Sequence, residues 1–298
     1  MRNGGVGVVP VMSGAPAGLR YPDFLCIGVQ KSATTWLDSN LRRIPALWLP
    51  PMKELQYFSQ LYNPRTKIWA PGQRRARMEP ALERYRKNTP PAEWDDRYLA
   101  LLTDIMEGQL SDEWYGRIFG HAPPDKLCGE VTPDYAVMPR QGIDHVFALA
   151  PEVRIILSLR DPIERCWSQI RMFTRKRKIT ELSDLERLAN HQQLVARTNY
   201  PAIIGRWRTL VPEERFHVFF MDEVAADPAR VLEEVCRFLE RDCPKNVLEK
   251  AAQAVHVGAA KEIPAPVLDI LKRRLQSVYQ EFAVLYPDVG ARWASRYY

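Results

Sequence analysis

The sequence predicts an α/β fold: a central, mostly parallel β-sheet flanked by helices, with a helical insertion. Three observations carry this expectation. Short apolar runs bounded by polar or turn residues recur along the chain, a segment with helical spacing follows each, and no internal repeat or low-complexity tract appears after Gly18. Runs that are apolar on both faces belong in a parallel sheet covered on both sides. The 298 residues can bury a sizeable core, and 46% apolar with 26% charged residues argues against disordered, collagen-like and coiled-coil chains.

Taken in order, residues 1–20 read as a flexible leader. Arg2 with Val6, Val8, Val9 and Val11 faintly imitates a secretion signal, but Gly5, Gly7 and Pro10 interrupt the apolar run. Phe24 to Val29 reads as a buried strand and Thr34 to Arg43 as the helix after it. The stretch at about 59–124 is rich in Arg and aromatics (Trp69, Tyr85, Trp94, Tyr98, Trp114, Tyr115), has weak strand character and is expected to be a helical insertion forming a cap. Val153 to Leu159 is the clearest strand; Pro162 to Arg175 follows as a helix with Asp161 at its N-cap. Phe216 to Phe220 is a third strand. The helix from Pro228 places Val231, Leu232, Val235, Phe238 and Leu239 on one face. Leu268, Leu271, Leu275, Val278, Phe282 and Leu285 mark a last long helix. Residues 21–298 thus read as a single domain.

Composition narrows the partners. Forty-two Lys plus Arg against 36 Asp plus Glu give a net charge of +6, which suits an anionic ligand without demanding one. Five cysteines, with no CxxC or Cys/His metal spacing, point to reduced thiols in a cytoplasmic protein and to no metal site. No apolar stretch approaches the roughly 18–20 residues needed to span a bilayer.

Two strand-to-helix loops carry the chemistry, because ligands of open α/β sheets sit beyond the carboxyl ends of strands. In Gly28-Val29-Gln30-Lys31-Ser32-Ala33-Thr34-Thr35-Trp36, a strand ends at glycine. A Lys and three hydroxyl residues then lead into a helix whose N-terminal N–H groups favour an anion. The loop is too short for the Gly-x-x-x-x-Gly-Lys-Ser/Thr pattern of nucleoside triphosphate sites. In Arg160-Asp161-Pro162-Ile163-Glu164-Arg165-Cys166-Trp167-Ser168, Arg160 ends a strand and Ser168 lies two turns into the next helix, a fork of donors for a second phosphate. Together the loops suit a ligand with two separated anionic groups.

The Lys31–Trp36 segment resembles the 5′-phosphosulfate loop of sulfotransferases that use 3′-phosphoadenosine 5′-phosphosulfate (PAPS), and Arg160 to Ser168 is similar to their 3′-phosphate motif, R-x-x-x-x-R-x-x-S. The likeness extends to Lys53–Phe58, Gly129–Tyr135, Asn199-Tyr200 with Trp207, Asp227-Pro228 and Phe238-Leu239. It lies closer to the glycan-modifying and bacterial branch than to the phenol and steroid branch. It implies a P-loop-like sheet and no metal. It places Lys31 on the bridging oxygen and 5′-phosphate, Ser32, Ala33, Thr34 and Thr35 around the phosphate, and Arg160 and Ser168 on the 3′-phosphate. Trp36 either stacks on adenine or packs the core. Lys261, in the segment Val257–Lys261, is a further nucleotide contact. Ala33 stands where the family usually has Gly, and is expected to lie already in the helix, where it is harmless.

The resemblance maps the catalytic base onto Glu54 of the K-E-x-x-Y/F-F motif, with His121 and His145 as the other candidates. The expected activity is transfer of a sulfuryl group from PAPS to a hydroxyl or amine of a carbohydrate or small-molecule acceptor. A nucleotide-dependent phosphotransferase and a non-catalytic nucleotide-binding protein are the alternatives. The basic run Arg171, Arg175, Lys176, Arg177 and Lys178 suits a helix C-terminus. It lacks the interleaved aromatics of a nucleic-acid surface, so no nucleic-acid partner is expected.

Overall fold

The computed structural model describes residues 18–253 and 262–298. Its centre is a five-stranded sheet of β1 (Phe24–Gly28), β2 (Leu47–Trp48), β3 (Leu127–Val131), β4 (Arg154–Leu159) and β5 (Phe216–Phe220), in the order β2-β3-β1-β4-β5. Every pairing is parallel, with Phe24 opposite both Gly129 and Arg154, and Leu157 opposite Val218. The chain leaves β1 towards β3 on one side and, after β3, crosses to β4 on the other. The direction therefore reverses at β1, the position where such sheets open a crevice at their carboxyl edge.

The pleat divides the core in two. Phe24 and Cys26 face one side with Val131, Ile156 and Phe219, covered by α1 (Thr34–Leu41) and by the later helical segments Pro228–Phe238 and Lys245–Gln253. Leu25 and Ile27 face the other with Ile155, Leu157 and Leu159. Period-two alternation within fully buried strands explains why these runs look uniformly apolar.

The expected strands at 24–29, 153–159 and 216–220 are present. β2 and β3 were not expected. β3 carries Gly129 and Glu130, which read as turn and charge rather than strand. Gly129 is there because a Cβ would lie 2.5 Å from the Phe24 carbonyl and ring.

Between β2 and β3 the chain is helical: α2 (Tyr57–Tyr62), α3 (Pro64–Asn88), α4 (Asp96–Glu107) and α5 (Asp112–Gly120). Of the aromatics that mark this segment, Trp114 and Tyr115 are fully buried, while Trp69, beside Ile68, is exposed on α3. After β3 come α6 (Arg140–Leu149), and after β4 α7 (Pro162–Arg177), α8 (Leu182–Ala189), α9 (Gln192–Ala196) and α10 (Tyr200–Arg208). Beyond β5 follow α11 (Met221–Ala226), α12 (Pro228–Phe238), α13 (Lys245–Gln253), α14 (Ala265–Leu285) and α15 (Pro287–Ala294). Most of the expected leader lies outside the described residues. Its last residue is not free: Arg20 donates to the Pro123 and Lys126 carbonyls and pairs with Asp23 at 2.8 Å. Among the described residues no helix is long and apolar enough to cross a membrane.

Candidate active site

The first loop is shaped by one glycine and two left-handed residues. Gly28 has φ 149°, and a Cβ there would lie 2.8 Å from the Pro133 carbonyl oxygen and 2.9 Å from the Ala136 Cβ, so only glycine fits. Lys31 follows at φ 74° and Ala33 at φ 59°. Ala33 is the N-cap of α1, outside the helix and in the left-handed region, not within the helix as the sequence suggested. A residue with a Cβ pays about 1–2 kcal/mol for that backbone.

The bend turns the start of α1 into an anion receptor. α1 has no side-chain cap, so its first-turn N–H groups are left for a ligand. Ser32 is fully buried and its Oγ has no hydrogen-bond partner among the described residues, while its carbonyl accepts a hydrogen bond from the Ser158 hydroxyl. Lys31 is partly buried. Burial holds its amine below the usual lysine range, and the charges of Arg160, Arg175, Arg165 and Lys176 add to the effect. The last turn of α7 holds Arg175, Lys176 and Arg177, the first two being among these charges.

The Lys53–Phe58 segment, some twenty residues away in sequence, meets this loop. Lys53 Nζ donates to Thr35 Oγ1 at 3.0 Å and to Thr34 Oγ1 at 3.5 Å, and lies 3.6 Å from Glu54 Oε1. Glu54 and Gln56 both have left-handed backbone, φ 63° and 61°. Arg77 of α3 donates to the Lys53 carbonyl at 2.9 Å, so the helical segment between β2 and β3 braces the loop directly.

On the far side of β1, Arg160 ends β4 and its guanidinium binds Glu164 Oε2 at 3.0 and 3.2 Å. The Tyr200 hydroxyl donates to the Arg160 carbonyl at 2.7 Å. Asp161 caps α7 as expected, its Oδ1 accepting from the Ile163 and Glu164 N–H groups and from the Tyr279 hydroxyl. Burial pushes its carboxyl up to about 7. Ser168 lies partly exposed on α7.

The second arginine of that motif has a separate task. Arg165 is fully buried, donating to Thr198 Oγ1 at 2.8 Å, to the Leu194 carbonyl at 2.9 Å and to the Gln30 carbonyl at 3.5 Å. It links the residue before Lys31 to α9 and to the segment that follows it. The motif spacing contained this residue but gave no hint of the role.

The other expected residues fall elsewhere. Trp36 is 9% exposed, packs edge-on to Phe219 and donates to the Ala251 carbonyl at 3.4 Å. His121 is bound to Asp104 at 3.3 Å. His145 is held between Asp112 at 2.8 Å and the Tyr62 hydroxyl at 3.1 Å, within an aromatic cluster with Tyr57 and Phe58. Both histidines are engaged with the helical segment. Lys261 and the Val257–Lys261 loop lie outside the described residues. Among the described residues no group of three His, Cys, Asp or Glu side chains is placed to hold a metal ion.

Known proteins share this fold. The family model described as "Sulfotransferase family" matches residues 22–245. A curated relative, the membrane-associated sulfotransferase kil1 of Dictyostelium discoideum, is 29% identical over 151 residues, which are 51% of this chain and 23% of that protein; the match thus spans about a quarter of the relative's length. A sulfotransferase structure from Alicyclobacillus acidocaldarius superposes with a TM-score of 0.61 at 19% identity, covering 90% of this chain and 96% of that one. The sulfotransferase domain of the Synechococcus PCC 7002 olefin synthase gives 0.53 at 18% identity, covering 88% and 98%. These structures share the fold, and the family model covers well over half of the sequence. The chain belongs to the sulfotransferase family.

Proposed function

We propose that the chain transfers a sulfuryl group from PAPS to a hydroxyl or amine of a carbohydrate or small-molecule acceptor, with Glu54 as the base. The observation that carries this reading is the Lys53 bridge, which joins the segment bearing Glu54 to Thr34 and Thr35 at the start of α1. The segment that bears the proposed base therefore lies against the anion loop that follows β1.

The residues present fit the donor. The buried Ser32 hydroxyl, without a partner among the described residues, the uncapped α1 N-terminus and the crowded Lys31 ammonium would all be met by the 5′-phosphosulfate anion. Arg160 and Ser168 would hold the 3′-phosphate. When bound, the donor supplies an activated sulfuryl group whose departure leaves charge on a phosphate oxygen. Lys31, Ser32, Thr34 and Thr35 would neutralise that charge, which is most of the work in an in-line transfer. Glu54 accepts the acceptor proton, and Lys53 fixes its orientation from the donor side.

Like charges gathered round Lys31 repel until an anion arrives, so 3′-phosphoadenosine 5′-phosphate (PAP) should stabilise the fold without metal, by about 2.7 kcal/mol at 100-fold excess over its Kd. No thermal shift with PAP, alongside a clear one with Mg-ATP, would favour a phosphotransferase instead. A labelled-donor assay against glycans, phenols, lipids and peptides identifies the acceptor. Glu54→Gln should lose turnover and keep PAP binding; normal turnover in that variant moves the base elsewhere. The free state of all five cysteines, four of them buried, fits a cytoplasmic setting.

A further inference from the structure

The arginine assigned to the 3′-phosphate is already engaged. Arg160 donates from Nε and Nη2 to Glu164 Oε2, at 3.2 and 3.0 Å. Glu164 does not belong to Arg160 alone. Its other oxygen, Oε1, accepts from Nη1 of Arg296 at 3.1 Å, two residues beyond α15. One carboxylate thus stands between two guanidinium groups.

Arg296 is firmly mounted. Its Nη2 donates at 2.8 Å to Oδ2 of Asp222 on α11, and the same oxygen accepts from Trp293 Nε1 at 2.9 Å. Trp293 is fully buried, with its ring stacked on Phe282 of α14, 5.0 Å between centroids and 12° between planes. Arg296 Nη1 also lies 3.9 Å from Oδ2 of Asp161. That oxygen is buried and has no hydrogen-bond partner among the described residues. Three acidic side chains therefore flank the Arg296 guanidinium, which is spent on them rather than left for a phosphate.

We propose that Arg296 is a positioning residue for nucleotide binding: it holds Glu164 and offsets its charge, so that the 3′-phosphate can take over Arg160. This rests on Arg160 being the 3′-phosphate ligand. The phosphate and the Glu164 carboxylate compete for one guanidinium, and two anions side by side disfavour each other. Among the described residues Arg160 and Arg296 are the cations paired with Glu164. Without Arg296, Glu164 would have Arg160 alone and keep it. With Arg296 in place, Glu164 retains a cation when Arg160 turns to the ligand. A lone exposed ion pair would contribute little, but this one is tied through Asp222 to a buried tryptophan.

The test needs no acceptor. Isothermal titration calorimetry at constant pH compares PAP with adenosine 5′-phosphate (AMP), which lacks the 3′-phosphate. In Arg296→Met, PAP Kd should rise about fivefold while AMP Kd changes less than about twofold. Arg296→Lys keeps the charge and should recover most of the loss. In a Glu164→Gln background, where no carboxylate competes, Arg296→Met should change PAP Kd less than about twofold. Glu164→Gln alone should bind PAP at least as tightly as wild type. Should Arg296→Met fail to fold, Asp222→Asn loosens the same guanidinium and should raise PAP Kd about twofold to threefold, with AMP Kd unchanged.

A merely structural role would weaken both nucleotides together, and a direct phosphate contact would make the loss persist in the Glu164→Gln background. Either result overturns the proposal. So do an unchanged PAP Kd in Arg296→Met, a loss that Arg296→Lys does not recover, weaker PAP binding in Glu164→Gln alone, and an unchanged PAP Kd in Asp222→Asn. Arg160→Met, which should bind PAP and AMP alike, reports on the 3′-phosphate site independently, so the two ideas fail separately.

Discussion

Replacing Ala33 by glycine should make the nucleotide-free chain more stable, against the usual direction of that exchange. At φ 59° and ψ 12°, the alanine Cβ costs about 1–2 kcal/mol. Glycine removes that cost but loses about 0.4–1 kcal/mol through its freer unfolded chain. The Ala33 methyl also touches the edge of the core formed by Trp36 and Leu37, so the net gain should be about 0.5 kcal/mol. Ala148, exposed within α6, provides the control, since glycine there should cost about 1 kcal/mol. Urea unfolding of both variants measures the two shifts with one chain as reference. An Ala33→Gly midpoint that falls as far as the Ala148→Gly midpoint would refute the left-handed assignment.

Three further outcomes follow from the same contacts. Lys31→Met should raise the unfolding midpoint without nucleotide, by removing a half-buried cation among Arg160, Arg165, Arg175 and Lys176, while abolishing transfer and PAP-induced stabilisation in thermal-shift assays. Arg165→Ala should cost about 3 kcal/mol by leaving partners inside the fold unpaired and should weaken PAP binding through Gln30; a near-neutral effect in urea unfolding would contradict the buried network. Asp161 has a folded pKa of about 7, above its unfolded value of 3.8. Its protonated form is thus favoured by folding, and that contribution is full below about pH 4 and lost as pH rises through about 7. Asp161→Asn keeps a neutral cap, so the stability of wild type relative to this variant should decline across that window. A flat difference in urea unfolding would argue against the shift.

Much of the fold could be read from the chain because strands buried on both faces are apolar throughout. Phe24–Gly28, Arg154–Leu159 and Phe216–Phe220 announce themselves that way. β3 does not, since its middle residues are a glycine demanded by the Phe24 carbonyl and a glutamate whose Oε1 accepts from the Tyr115 hydroxyl. Those partners come from other elements, and a linear pattern carries no trace of them. The two anion loops were legible because their donors are contiguous. Lys53 was legible only as half of a Lys-Glu pair; its reach to Thr35 depends on the fold. Ala33 misled because alanine is a strong helix former, and the backbone overrode that preference.

The strand order also sets a schedule for synthesis. β1 lies near the start of the chain, yet its neighbours are Gly129–Val131 on one side and Arg154–Leu157 on the other. A nascent chain leaving the ribosome at roughly 5–20 residues per second must therefore keep Phe24–Gly28 unpaired for on the order of ten seconds. Such late, long-range parallel pairing is slow and leaves an apolar strand exposed meanwhile. Fragments ending before Leu127 would lack both flanks of the central strand, and chaperone supply during expression should govern yield more than the stability of the finished sheet.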